Sequence, residues 1–143
     1  MALDDLYQEI LLDHYKNPRN QGVLDHPDVR LQAKNPFCGD EVTLNLKFKD
    51  ERVEEISFEG QGCVISQASV SLLTQTVKGK TIDQVLALID QFQALVKGET
   101  TELDSELEEL MALQGVSDYP TRIKCATLAW NTLRKALVEH VEK

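Results

Sequence analysis

The chain has 143 residues, 42% of them hydrophobic, which is the length of one ordinary domain able to bury a single core. Its 15 basic and 24 acidic residues leave a net charge of -9, a surface that repels phosphate backbones and argues against nucleic acid as a partner. No run reaches the roughly 18 apolar residues of a membrane span, since even VLALIDQFQALV is broken by Asp90 and two glutamines, and the N-terminal MALDDLYQEI carries acids where a secretory signal carries bases.

A soluble cytoplasmic protein of one domain, residues 1–143, is therefore expected. Its three cysteines are odd in number, which excludes a closed disulfide framework, and reduced thiols are expected in that compartment.

In chain order, Leu3, Leu6, Tyr7, Ile10, Leu11 and Tyr15 follow helical spacing until Asn17-Pro18 stops it. Residues 17–27, NPRNQGVLDHP, are rich in turn formers and read as a connecting loop. A short strand is expected over residues 29–33. Val42, Leu44, Leu46 and Phe48 alternate with polar residues, and Ile56 and Phe58 resume the alternation after Asp50-Glu51-Arg52, which predicts a hairpin. Keeping these apolar residues on one face with a three-residue loop at 50–52 sets Leu44 opposite Phe58 and Leu46 opposite Ile56. The same register extended outward sets Cys38 opposite Val64 and Gly39 opposite Cys63. Ladder partners lie about 4.5 to 5.5 Å apart, so Cys38 and Cys63 are expected to become neighbours.

After Gly60-Gln61-Gly62, residues 63–78 read as a helix closed by Gly79, with Ser66, Ala68, Ser69 and Ser71 suited to close packing. Thr81 followed by Gln84 is a capping-box signature for a helix running to Lys97 and ended by Gly98. Ser105 and Glu108 repeat the signature for a short helix ending near Gly115. Residues 99–109 hold six acids and no base, a pattern that usually marks a solvated face and only sometimes a docking surface. A long last helix opens near Pro120, with Ile123, Ala126, Trp130, Leu133, Leu137 and Val141 as its buried stripe and Cys125 in its first turn, off that stripe.

Cys63 and Cys125 each open a helix, where exposed amides and the helix dipole favour a thiolate. Cys38 lies in the turn NPFCGD, in which Pro36 restrains the backbone and Gly39 frees it. Asp40 offers an oxygen from the same loop, so Cys38, Asp40, Cys63 and Cys125 make the four ligands of a tetrahedral zinc site. Position alone gives equal standing to another reading, in which Cys63 and Cys125 pack as small apolar side chains and Asp40 caps a turn. His14 reads as a surface or packing residue of the first helix, and His26 and His140 take no role. Arg122 and Lys124 flank Cys125 and could steady a thiolate or a persulfide, or serve as ordinary surface charge.

The segments NPFCGD, GQGCVISQASVS and PTRIKCATLAW resemble the U-type iron-sulfur cluster assembly proteins, and among them the SufU branch. The likeness runs through nearly the whole chain, in order. It implies an α+β fold, a small antiparallel three-stranded sheet packed against about five helices. It also implies that Cys38, Asp40, Cys63 and Cys125 bind zinc, with iron or an iron-sulfur cluster held transiently. Cys38 becomes the thiol that accepts sulfur from a SufS-like cysteine desulfurase, whose pyridoxal phosphate belongs to that partner, and a cluster scaffold lies downstream. The IscU-like members carry a histidine directly before the third cysteine and a chaperone-recruiting motif. This chain has Lys124 at the first place and SDYPTRIK at the second, and residues ahead of Pro120 resemble the insertion of SufU-like members. Three functions follow for comparison: a zinc-dependent sulfur carrier of sulfurtransferase type, a scaffold for the cluster itself, and a zinc module that only supports folding.

Overall fold

The structure is a computed structural model that describes residues 3–35, 39–100 and 105–142, without the side chains of residues 3–6, 105 and 106. Its elements follow the order α1 (Leu3–Lys16), β1 (Val29–Asn35), β2 (Asp40–Lys49), β3 (Arg52–Gln61), α2 (Val64–Val77), α3 (Ile82–Val96), a 3-10 helix (Ser105–Asp118) and α4 (Pro120–Val141). The strands form an antiparallel sheet in the order β1-β2-β3, and the five helices pack against it and one another, giving the expected α+β fold. No helix among the described residues is long and apolar enough to cross a membrane.

The alternation in the hairpin produces the expected register, with Leu44 paired to Phe58 and Leu46 to Ile56. The turn differs. Asp50 and Glu51 have φ of 54° and 61°, the signature of a two-residue primed turn, and Lys49 pairs with Arg52. A bulge between Lys47 and Phe48 then absorbs Glu54. One residue fewer in the loop and one extra in β3 cancel, so the pairing beyond the bulge matches that of a three-residue loop. β1 runs two residues past the expected end and pairs Asn35 with Asp40. Residues 17–27 are more than a connection: Gly22 N–H donates to the Phe58 carbonyl at 2.8 Å and Phe58 N–H to the Asn20 carbonyl at 3.0 Å. This segment covers part of the outer edge of β3, which would otherwise present unpaired backbone groups.

The inner face of the sheet, with Val42, Leu44, Leu46, Ile56 and Phe58, is buried in one core with Leu72 and Leu73 of α2 and Trp130 and Leu133 of α4. The small residues of α2 do more than allow close approach. Ser69 donates to the Ala126 carbonyl at 2.6 Å and accepts from Trp130 Nε1 at 3.0 Å, which ties α2 to α4. Ser71 meets His14 Nδ1 at 2.8 Å, which ties α2 to α1. His14, fully buried, completes the inner face of α1, whereas Tyr15, expected there, is exposed.

Thr81 and Gln84 form the reciprocal capping box that starts α3, and Phe92 of α3 stacks on Trp130 at 4.1 Å between ring centroids. The expected short α-helix is instead a 3-10 helix reaching Asp118, past Gly115, with a break at Leu107. Leu107, Leu110, Leu113 and Val116 are all buried, and their spacing of three is the 3-10 repeat. The side chain of Ser105, on which the second capping box depends, lies outside the described residues. In α4 the stripe of Ala126, Trp130, Leu133 and Leu137 is buried as expected, but Val141 at the helix end is 64% exposed. Cys125, expected off the stripe, is only 4% exposed. The reason is that α4 packs against α2, α3 and the sheet together, so its buried face is wider than one stripe.

Candidate metal centre

Three of the four candidate ligands come from separate elements. Asp40 begins β2, Cys63 stands at the N-cap of α2 and Cys125 lies in the second turn of α4. One ligand atom from each, a carboxylate oxygen and two sulfurs, lies within 4.8 Å of the others. Cys38 falls outside the described residues; in the chain it stands one residue before Gly39, whose N–H donates to the Asn35 carbonyl at 3.0 Å.

Local backbone chemistry explains how Asp40 and Cys63 meet. The β2–β3 ladder ends at Glu41 and Gln61, so the extrapolated pairing of Gly39 with Cys63 is not formed. Asp40 makes the link instead, because its Oδ1 accepts from Cys63 N–H at 3.0 Å and from the Ser66 hydroxyl at 3.0 Å. Gly62 makes room for this: a Cβ there would lie 2.3 Å from Asp40 Oδ1 and 2.5 Å from Ser66 Oγ. Cys63 has extended backbone (φ -76°, ψ 170°) and its sulfur accepts from Ser66 N–H at 3.4 Å, as an N-cap side chain does. On the other side, the Ser69 link between α2 and α4 fixes the approach of Ala126, the neighbour of Cys125. The Cys125 thiol itself lies 3.6 Å from the Thr121 carbonyl.

Asp40 is fully buried, Cys125 nearly so and Cys63 exposed. The cluster is thus walled on the side of the fold and open at Cys63. A tetrahedral site with metal–sulfur bonds of about 2.3 Å spaces its ligand atoms about 3.8 Å apart. The three donors need only a small inward movement to take an ion of that size, and two thiols with a carboxylate suit zinc or iron.

The remaining candidates lie elsewhere. His14 is a packing residue, and its burial pushes its pKa below the usual histidine value, helped by Arg19 and opposed by Glu109 and Asp13. His140 stacks on Phe48 at 3.9 Å. The Arg122 guanidinium lies over the Tyr119 ring at 5.9 Å, and both Arg122 and Lys124 are exposed on α4. Ile65, two residues after Cys63, and Arg122, three before Cys125, help line an open cavity of about 370 Å³ with Leu11, Val116 and Tyr119. Sequence reasoning missed Ser66 as part of the centre and took it only as a small packing residue. Its position three after a helix-heading cysteine was the available signal.

The model of the NifU-like N terminal domain matches residues 6–126. The chain is 45% identical over 137 residues to the "Zinc-dependent sulfurtransferase SufU" of Bacillus subtilis, covering 96% of this chain and 92% of that protein. It is 44% identical over 135 residues to the "Iron-sulfur cluster assembly scaffold protein IscU" of Streptococcus pyogenes, covering 94% and 84%. Its fold matches the crystal structure of a nitrogen-fixing NifU-like protein (N-terminal) from Brucella abortus with a TM-score of 0.89 at 26% identity, over 99% of this chain and 98% of that one.

Proposed function

The chain belongs to the family of NifU-like N-terminal domains that includes SufU and IscU, and we propose that it serves iron-sulfur cluster assembly as a zinc-dependent sulfur carrier. The observation that carries this reading is the convergence of Asp40, Cys63 and Cys125 within 4.8 Å from three elements far apart in sequence. Such donors brought together at an open edge of the fold are suited to hold a metal that a partner can reach. Cys38 supplies the fourth ligand, two residues before Asp40 in the connection between β1 and β2, and zinc is the resident metal. The name of the Bacillus subtilis relative, a zinc-dependent sulfurtransferase, supports zinc as the metal and sulfur as the cargo.

When bound, zinc would be held by Asp40, Cys38, Cys63 and Cys125 and would keep the three thiols as thiolates. The Cys38 thiolate attacks the outer sulfur of a persulfide on a cysteine desulfurase. The sulfur–sulfur bond breaks, the desulfurase cysteine leaves as its thiolate, and Cys38 holds the persulfide for transfer to a downstream cluster scaffold. The whole chain, residues 1–143, acts as one domain in a reducing cytoplasm. A desulfurase assay tests this. Cys38→Ala is expected to abolish stimulation of cysteine turnover and the persulfide on this protein; undiminished stimulation and continued transfer rule the role out.

The scaffold function of the Streptococcus pyogenes relative favours a second reading, in which iron and sulfide assemble on the same ligands. Anaerobic reconstitution separates the two. A stable stoichiometric cluster handed efficiently to an apoprotein favours the scaffold, and its absence favours the carrier.

A further inference from the structure

We infer that Ser66 is a positioning residue for the metal centre, its hydroxyl and the Cys63 amide together holding Asp40 Oδ1 and so fixing the carboxylate beside the two sulfurs. The inference rests on the proposed metal site and adds a residue to it.

Ser66 touches two ligands at once. Its hydroxyl lies 3.0 Å from Asp40 Oδ1 and its N–H donates to Cys63 Sγ at 3.4 Å. The hydroxyl has a competing acceptor, the Cys63 carbonyl at 3.1 Å, but that carbonyl already receives Gln67 N–H at 3.1 Å. An ionised carboxylate is also the stronger acceptor, so the single hydroxyl proton goes to Asp40. Oδ1 then carries two donors, the Cys63 amide and the Ser66 hydroxyl, from two different directions. One donor alone leaves rotation about the terminal carboxylate bond broad and roughly two-fold. Two donors on one oxygen select a single orientation of the carboxylate. Asp40 and Ser66 are both buried, which strengthens these bonds by excluding water. The tight approach over Gly62 leaves the pair little freedom to rearrange.

The test measures zinc affinity of the purified chain by competition with a chromophoric chelator, and the ligand-field absorption of the cobalt(II)-substituted protein. Ser66→Ala keeps the backbone N–H to Cys63 Sγ and removes only the hydroxyl. It is expected to weaken zinc binding by about 10- to 100-fold, the usual effect of removing a group that orients a ligand, and to shift the cobalt bands. Ser66→Thr, which retains a hydroxyl, is expected to restore both. Zinc bound by Ser66→Ala as tightly as by the parent, with unchanged cobalt bands, overturns the inference. So does a weakened Ala variant that a folded Thr variant fails to restore, since that loss belongs to packing. If Ser66→Thr does not fold, the Ala variant's affinity and cobalt spectrum decide together. Asp40→Ala in the same assay separates this inference from the reading beneath it. Weakening by Asp40→Ala but not by Ser66→Ala removes the role of Ser66 alone, whereas zinc binding indifferent to both removes Asp40 from the site.

Discussion

Replacing Gly62 by alanine tests how tightly the centre is built. The added methyl would lie 2.3 Å from Asp40 Oδ1, 3.0 Å from Asp40 Cγ and 2.5 Å from Ser66 Oγ, where ordinary contact begins at 3.4 Å. The carboxylate must therefore withdraw by about 1 Å or the chain at residue 62 must bend away. Either movement stretches the 3.0 Å bonds from Cys63 N–H and Ser66 Oγ beyond hydrogen-bond range. Hydrogen bonds to a charged group contribute about 1.5 to 3 kcal/mol each, and partial relaxation recovers some of that. We expect Gly62→Ala to destabilise the fold by about 2 to 4 kcal/mol and to weaken zinc binding at least about tenfold. Urea denaturation with and without chelator, together with chelator competition for zinc, reads both effects. Gly115→Ala is the control, because nothing lies within 4 Å of a methyl at that position. Parent-like zinc affinity and a stability change below about 0.5 kcal/mol in Gly62→Ala would refute the reasoning.

Two further outcomes follow from the packing of α2. Ser69→Ala leaves Trp130 Nε1 without its partner inside the core, so a loss of about 1 to 3 kcal/mol is expected in denaturant unfolding, and an unchanged midpoint contradicts the clamp between α2 and α4. Burial lowers the His14 pKa below its ordinary value near 6.5, so on acidification the unfolded chain binds the proton first. The stability that neutral His14 contributes is intact above about pH 6.5 and is lost as pH falls through the window below it. Between pH 7.5 and 5.5 the parent is expected to lose more stability than His14→Gln, with effects of metal retention cancelling in the comparison; equal losses count against this account of His14.

Much of this architecture was legible because the signals were local. The alternation of Val42, Leu44 and Leu46 and of Ile56 and Phe58 set the strand faces, and the Thr81–Gln84 pair announced α3. The hairpin register was correct although its turn was not, since periodicity constrains which faces meet and leaves the division between loop and bulge open. The 3-10 helix escaped notice because Leu107, Leu110, Leu113 and Val116 also suit an α-helical reading over so short a stretch. The burial of Cys125 depended on how many elements surround α4, which a single-stripe picture cannot contain. At the centre, sequence brought Asp40, Cys63 and Cys125 forward as ligands and the fold gathers them. It could not reveal that Ser66 bridges two of them, because that contact exists only once β2 and α2 are brought together. The structural place of Cys38 lies outside the described residues, and its role rests on the chemistry proposed for it.

Zinc-edge X-ray absorption on protein purified without added metal measures the ligand set directly. The account predicts bound zinc with three sulfurs at about 2.3 Å and one oxygen at about 2.0 to 2.2 Å. A shell dominated by nitrogen or oxygen, or a protein that retains no metal while fully folded, would contradict it.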